Sequence, residues 1–249
     1  GFAKVWDPDK VVLIYDHLVP ASQQDDTRHF RVGDAFVEQY GIKNIHRSDG
    51  ICHQLMTEAG YVKPGHVVFG TDSHTTTYGC VGAFSTGIGY TEMASILGTG
   101  ALWVKVPETI KVVIDGELPA NVMSKDVILR LIGDLGADGA TYRALEFTGS
   151  AVKNMSIASR TTMANMAIEA GAKNAIFPVD AVTLEYLQGR VDRPFAPAEP
   201  DSDAVYEQTI RMDLSKLKPV VAAPHLPSNV KPVEEYAGLP VDQVIIGCC

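Results

Sequence analysis

The feature that most constrains this chain is an alternation of short β-branched apolar runs with stretches of helical spacing. Runs at 11–15, 66–69, 110–114, 142–147, 175–177, 220–222 and 244–246 read as strands. Between them, 27–40, 92–103, 124–135 and 161–171 carry apolar residues three and four positions apart and read as helices. In 27–40 the inward candidates are Phe30, Phe36 and Val37. The clearest helix is 124–135, with Ser124 read as its N-cap, Asp126 in its first turn and Gly136 as its stop. Strands that alternate with helices imply an α/β fold with a largely parallel sheet. The 249 residues, 46% of them hydrophobic, suffice for one large domain or two moderate ones. Residues 189–203, with three prolines and several acids, read as a linker or surface excursion.

Charge excludes several function classes. With 30 acidic and 21 basic residues the chain carries a formal charge of -9, which argues against a nucleic-acid partner, whose phosphates call for a basic face. No run of about 18 apolar residues is present, so no membrane span is expected. No leader pattern opens the chain, and four cysteines are too few for a disulfide scaffold. Both point to a reducing, cytoplasmic setting. The chain starts at Gly1 and closes on Val244-Ile245-Ile246-Gly247-Cys248-Cys249 without a polar tail, and we expect it to be a piece of a longer polypeptide.

Ligands of open α/β sheets bind beyond the carboxyl ends of the strands. Here the first strand runs into Asp16-His17 and the second into Gly70-Thr71-Asp72-Ser73-His74-Thr75. The segment Gly50-Ile51-Cys52-His53-Gln54 adds another imidazole, and the strand at 142–147 contains Glu146. Singly, each has a bland reading as a loop cap, an Asx turn or a structural histidine. Jointly, three imidazoles with carboxylates beside strand ends suit acid–base chemistry, because a neighbouring carboxylate raises an imidazole pKa and fixes its tautomer. The glycines at 79, 82, 87 and 89 lack the third glycine of a dinucleotide loop and read as close packing behind Asp72 and His74.

These segments resemble the aconitase superfamily. The resemblance rests on Tyr15 to Pro20, Gly50 to Gln54, Gly70 to Thr75, Gly79 to Gly89, Leu145 to Gly149, Met163 to Ala172 and the closing Ile245 to Cys249, in the family's order. Within it, Asp16-His17-Leu18-Val19-Pro20 and Thr71 to Gly79 favour the branch of isopropylmalate dehydratases and homoaconitases. The resemblance implies a three-layer αβα fold with mixed or mainly parallel sheets. We expect two domains, 1–123 and 124–249. It also implies a hydro-lyase acting on a small hydroxy-dicarboxylate, with a [4Fe–4S] cluster and a small subunit that carries a swivelling domain. Homoaconitate and dimethylmalate are alternative substrates, and a cluster-free RNA-binding relative is the alternative of another class.

By the same resemblance Asp16 and His17 protonate the departing hydroxyl, and His53 and Asp72 form a second imidazole–carboxylate pair. His74 and Glu146 match groups that bond the water or hydroxyl, and Cys249 matches the first of three cluster ligands. The family's usual Ser before that cysteine is Cys248 here, which leaves open which thiol ligates iron. The remaining ligands, the base and most substrate-binding arginines are expected outside these 249 residues, so the chain alone is expected to be inactive.

Overall fold

The computed structural model describes residues 2–191 and 194–247. In chain order the elements are β1 (Val12–Ile14), α1 (Thr27–Tyr40), β2 (Asn44–His46), α2 (Cys52–Glu58), β3 (Val67–Gly70), β4 (Phe84–Gly87), α3 (Tyr90–Thr99) and β5 (Glu108–Asp115). Then come α4 (Ser124–Leu135), β6 (Arg143–Thr148), α5 (Ile157–Met166), β7 (Asn174–Ile176), α6 (Ala181–Leu187), β8 (Gln208–Asp213), β9 (Val220–Ala222) and β10 (Val230–Pro232). The alternation seen in the sequence is therefore the architecture. A four-stranded parallel sheet runs β7-β6-β5-β8, β1 pairs β2 and β3 pairs β4 in parallel, and among the described residues only β9–β10 is antiparallel. The fold is mixed α/β with mostly parallel sheets, as expected.

Strand β5 shows why the sheet forms here. Ile110, Val112 and Ile114 are buried while the residues between them are not, the period-two pattern of a strand with one face in the core. They meet Leu145 and Phe147 of β6 and the buried stripe Val127, Ile128, Leu131 and Ile132 of α4. Phe147 stacks on Phe177 with ring centroids 4.6 Å apart. β5 precedes residue 123 and pairs with β6 and β8 beyond it, so one sheet and one core run across that position.

Several elements differ from the sequence reading, each for a local reason. Helix α4 is capped by Asp126 rather than Ser124: the Asp126 carboxylate accepts from the Met123 N–H at 2.8 Å, and Ser124 is already helical. The same carboxylate accepts from the Val220 N–H at 2.9 Å and so moors β9. Helix α5 starts four residues before 161 because Ser156 caps it, its hydroxyl accepting from the Ser159 N–H. It tightens into a 3₁₀ turn at Ala167–Ala170 and stops at Gly171, whose φ of 84° is left-handed backbone. Helix α3 ends at Thr99, short of 103, and Trp103 lies beyond it, 85% exposed. Residues 244–246 form no strand and are 76–98% exposed. Residues 189–203, where described, form no helix or strand, in line with a surface excursion. No helix among the described residues is long and apolar enough to cross a membrane.

Candidate active site

The site begins where β1 and β3 end. Beyond β1, Tyr15 anchors on α1 through its hydroxyl, which donates to the Phe30 carbonyl, and Asp16 follows. Asp16 is held from two directions. Its Oδ2 accepts from the Cys52 N–H at 2.6 Å, at the half-buried N-terminus of α2, and its Oδ1 meets His17 Nδ1 at 2.9 Å. Burial opposes its charge, but the Cys52 and His17 bonds outweigh burial and hold the carboxyl below the usual carboxylate range. In return the Asp16 hydrogen bond raises the His17 pKa, against some desolvation and with help from the charges of Asp16 and Asp72. The His17 side chain is 73% exposed, so it faces solvent while Asp16 holds its Nδ1 side.

Beyond β3, Asp72 caps the 3₁₀ segment Ser73–Val81 by accepting from the His74 N–H at 2.7 Å. Its carboxylate stands between three imidazoles. His53 Nε2 lies at 3.1 Å, His74 Nδ1 at 3.6 Å and His17 Nε2 at 3.6 Å. His53, in the first turn of α2, is buried; desolvation lowers its pKa although Asp72 pulls the other way. The Tyr78 hydroxyl donates to the Cys52 carbonyl at 3.2 Å and ties α2 to the segment that carries Asp72. Strand β4 closes against the same loop, and a Cβ on Gly87 would sit 2.6 Å from the Asp72 carbonyl oxygen and 2.9 Å from the Ser73 Cα.

The structure thus brings together Asp16, His17, His53, Asp72 and His74. It does not bring Glu146 to them. The Glu146 carboxylate accepts from the Tyr206 hydroxyl at 2.8 Å, and that phenol is pushed up to about 12 by burial and by the Glu146 bond. The carboxylate that reaches His74 is Glu169, its Oε1 3.2 Å from His74 Nε2. Glu169 sits in the 3₁₀ turn after α5 and lies within the stretch Met163 to Ala172 that carried the resemblance, although it was assigned no role.

Cys249 and Cys248 lie outside the described residues. Of the two described thiols, Cys80 is fully buried and its pKa is pushed up to about 11 by that burial. The Cys52 thiol is raised by burial and by the carboxylates of Asp16 and Asp72, so neither favours the thiolate a cluster needs. Among the described residues no group of three or more His, Cys, Asp or Glu side chains is arranged to hold a metal ion. The described donor set at the site is one of imidazoles and carboxylates.

Parallel strands whose carboxyl ends lead into a cluster of three imidazoles and three carboxylates define an α/β protein with a titratable cluster of the strand-end type. More narrowly, the chain belongs to the aconitase family (aconitate hydratase), which matches residues 3–244. It is 48% identical over 250 residues to the 3-isopropylmalate dehydratase large subunit 1 of Methanopyrus kandleri and 49% identical over 251 residues to the 3-isopropylmalate dehydratase large subunit of Moorella thermoacetica. It is 44% identical over 250 residues to a probable methanogen homoaconitase large subunit of Methanothermobacter thermautotrophicus. All three matches cover the whole of this chain, which spans 58–60% of the length of these curated relatives.

Proposed function

We propose that the complete protein is the large, catalytic subunit of a hydro-lyase of the 3-isopropylmalate dehydratase type, interconverting 2- and 3-isopropylmalate by loss and re-addition of water in leucine biosynthesis. The observation that carries this reading is the convergence of two unlike imidazoles on Asp72: His17 is exposed and bonded to Asp16, which raises its pKa, while His53 is buried, which lowers its own. Their unlike surroundings give two imidazoles of one site different proton affinities, with the acid at the exposed one.

In this reading His17 keeps its Nδ1–H on Asp16 and gives the Nε2 proton to the departing hydroxyl, which leaves as water; hydration returns the proton to Nε2. Asp72 orients His53 and His74, and Glu169 fixes the far nitrogen of His74. The carbon-bound proton goes to a base beyond these 249 residues. A [4Fe–4S] cluster, with Cys249 as one ligand, belongs to the same proposal through the family resemblance. When bound, such a cluster supplies a Lewis-acidic iron that makes hydroxide a better leaving group. A small subunit is the proposed partner, supported by the large-subunit names of the relatives.

The test is turnover by the complete protein, joined to its small subunit and reconstituted anaerobically with iron and sulfide. 3-Isopropylmalate, homoaconitate and dimethylmalate are assayed side by side. Preference for isopropylmalate supports the proposal. Preference for homoaconitate moves the chain to the homoaconitase branch, and turnover of none refutes the substrate class.

A further inference from the structure

We propose that Thr77 is a positioning residue that sets the contact between His74 and Glu169. Thr77 is fully buried, and its hydroxyl makes two bonds of opposite sense. It donates to the His74 carbonyl at 2.5 Å and accepts from the Asn165 side-chain amide at 2.9 Å. A carbonyl can only accept, so the hydroxyl proton is committed to His74, and the oxygen's lone pairs are left for the amide. Asn165 is itself buried in the last turn of α5, and its own carbonyl accepts from the Thr76 hydroxyl at 3.4 Å. Four residues on, Glu169 returns to His74 Nε2.

The result is a closed ring. It runs from the His74 backbone through Thr77 and Asn165 along α5 to Glu169, and back to the His74 imidazole. His74 is therefore tied twice to residues 165–169, at its carbonyl through Thr77 and at its ring through Glu169. The groups around that ring are Ser73 at 3.1 Å from Nδ1, Asp72, His53 and Glu169. Of these, Glu169 shares its stretch of chain with Asn165, the partner of Thr77. The inference rests on the acid–base reading of the site only for its effect on turnover; the ring itself is independent of substrate.

Thr77→Val keeps the shape and the buried methyl while removing both bonds; Thr77→Ser keeps both bonds and removes the methyl. We expect the ring-nitrogen titration of His74, followed by ¹⁵N NMR on the 249-residue chain, to shift in Thr77→Val and return in Thr77→Ser. His46, which bonds Asp49 and Tyr61 instead, should titrate as in the wild type. In the complete protein, kcat for 3-isopropylmalate should fall about 10- to 100-fold in Thr77→Val, with KM within about threefold, since a displaced catalytic group costs rate before binding. Should Thr77→Val melt below the assay temperature, Asn165→Ala removes the other partner of the same hydroxyl and carries the same expectation. An unmoved His74 titration in a folded Thr77→Val overturns the proposal, as does a Thr77→Ser as impaired as Thr77→Val. If the wild type turns over none of the hydroxy acids, the functional reading fails while the titration still decides the role of Thr77.

Discussion

Gly87→Ala tests whether the end of β4 positions Asp72. The backbone of Gly87 is not left-handed, so alanine brings no conformational strain of its own and the effect is purely steric. The new Cβ would lie 2.6 Å from the Asp72 carbonyl oxygen and 2.9 Å from the Ser73 Cα, both backbone atoms that cannot swing aside. Ordinary contact begins at 3.4 Å, so β4 and the 72–73 loop must part by about 0.8 Å, an overpacking that costs about 1–3 kcal/mol of stability. The catalytic consequence exceeds the stability one. Asp72 Oδ1 lies 3.1 Å from His53 Nε2, and a shift of this size separates or re-aims the pair. Misplacement on the order of 1 Å costs about a hundredfold in rate. The assay is thermal or urea unfolding of the chain, the ring-nitrogen titrations of His17 and His53, and kcat of the complete protein. Loss of stability with both titrations unmoved and kcat within about twofold would refute the argument that this glycine exists to seat Asp72.

Three further outcomes follow from the same geometry. Asp16→Asn should lower the His17 titration toward the ordinary imidazole value of about 6.5, read by NMR. Because His17 is raised in the fold, its stabilising contribution is present below that ordinary value and lost as pH rises through the folded one, so this part of the pH dependence should vanish in the variant. Glu169→Gln should depress turnover by tenfold or more and Glu146→Gln by less than about twofold, since only Glu169 bonds a site imidazole; equal effects in kcat assays would restore Glu146 to the site. Arg160→Met should destabilise the fold by about 3 kcal/mol in urea unfolding, the low end for a broken buried pair, because Asp180 stays about a quarter exposed. Burial opposes the Asp180 charge, but Arg160 holds its pKa below the usual range; the stability so gained is present above the ordinary carboxylate pKa and is lost as pH falls through the depressed one.

The parts legible in the sequence are those governed by local pattern. Helix α1 spans the residues its spacing indicates, and Phe30, Phe36 and Val37 are the half-covered face of a helix with no fully buried residue. The strand ends at Asp16 and Asp72 were readable because a polar cluster after a β-branched run marks where a parallel strand stops. Long-range pairing decided the rest. Nothing in Ser73 to Val81 or Phe84 to Gly87 tells a 3₁₀ segment from a strand; four threonines favour a strand and two glycines weaken both, and packing on α5 and pairing with β3 decide the structure. The choice between Glu146 and Glu169 was hidden for the same reason. Both lie in stretches that carry the resemblance, and only the fold shows one turned to Tyr206 and the other returned to His74.

One carboxylate facing three imidazoles would be a poor acid–base device if the three were equivalent, since protons would distribute among them without direction. The fold makes them unequal by giving each a different second partner. His17 has Asp16 and open solvent, His53 has burial and only the thiol of Cys52 at 3.7 Å, and His74 has Glu169. Protonation at His17 is favoured, protonation at His53 is disfavoured, and Asp72 touches both. Under the proposed function, the exposed end of the cluster, where a proton is favoured, is also where a leaving group can meet it. The direction of transfer is written into burial: bringing solvent to His53, or shielding His17 from it, should narrow the gap between their titrations and slow turnover even with every named side chain in place.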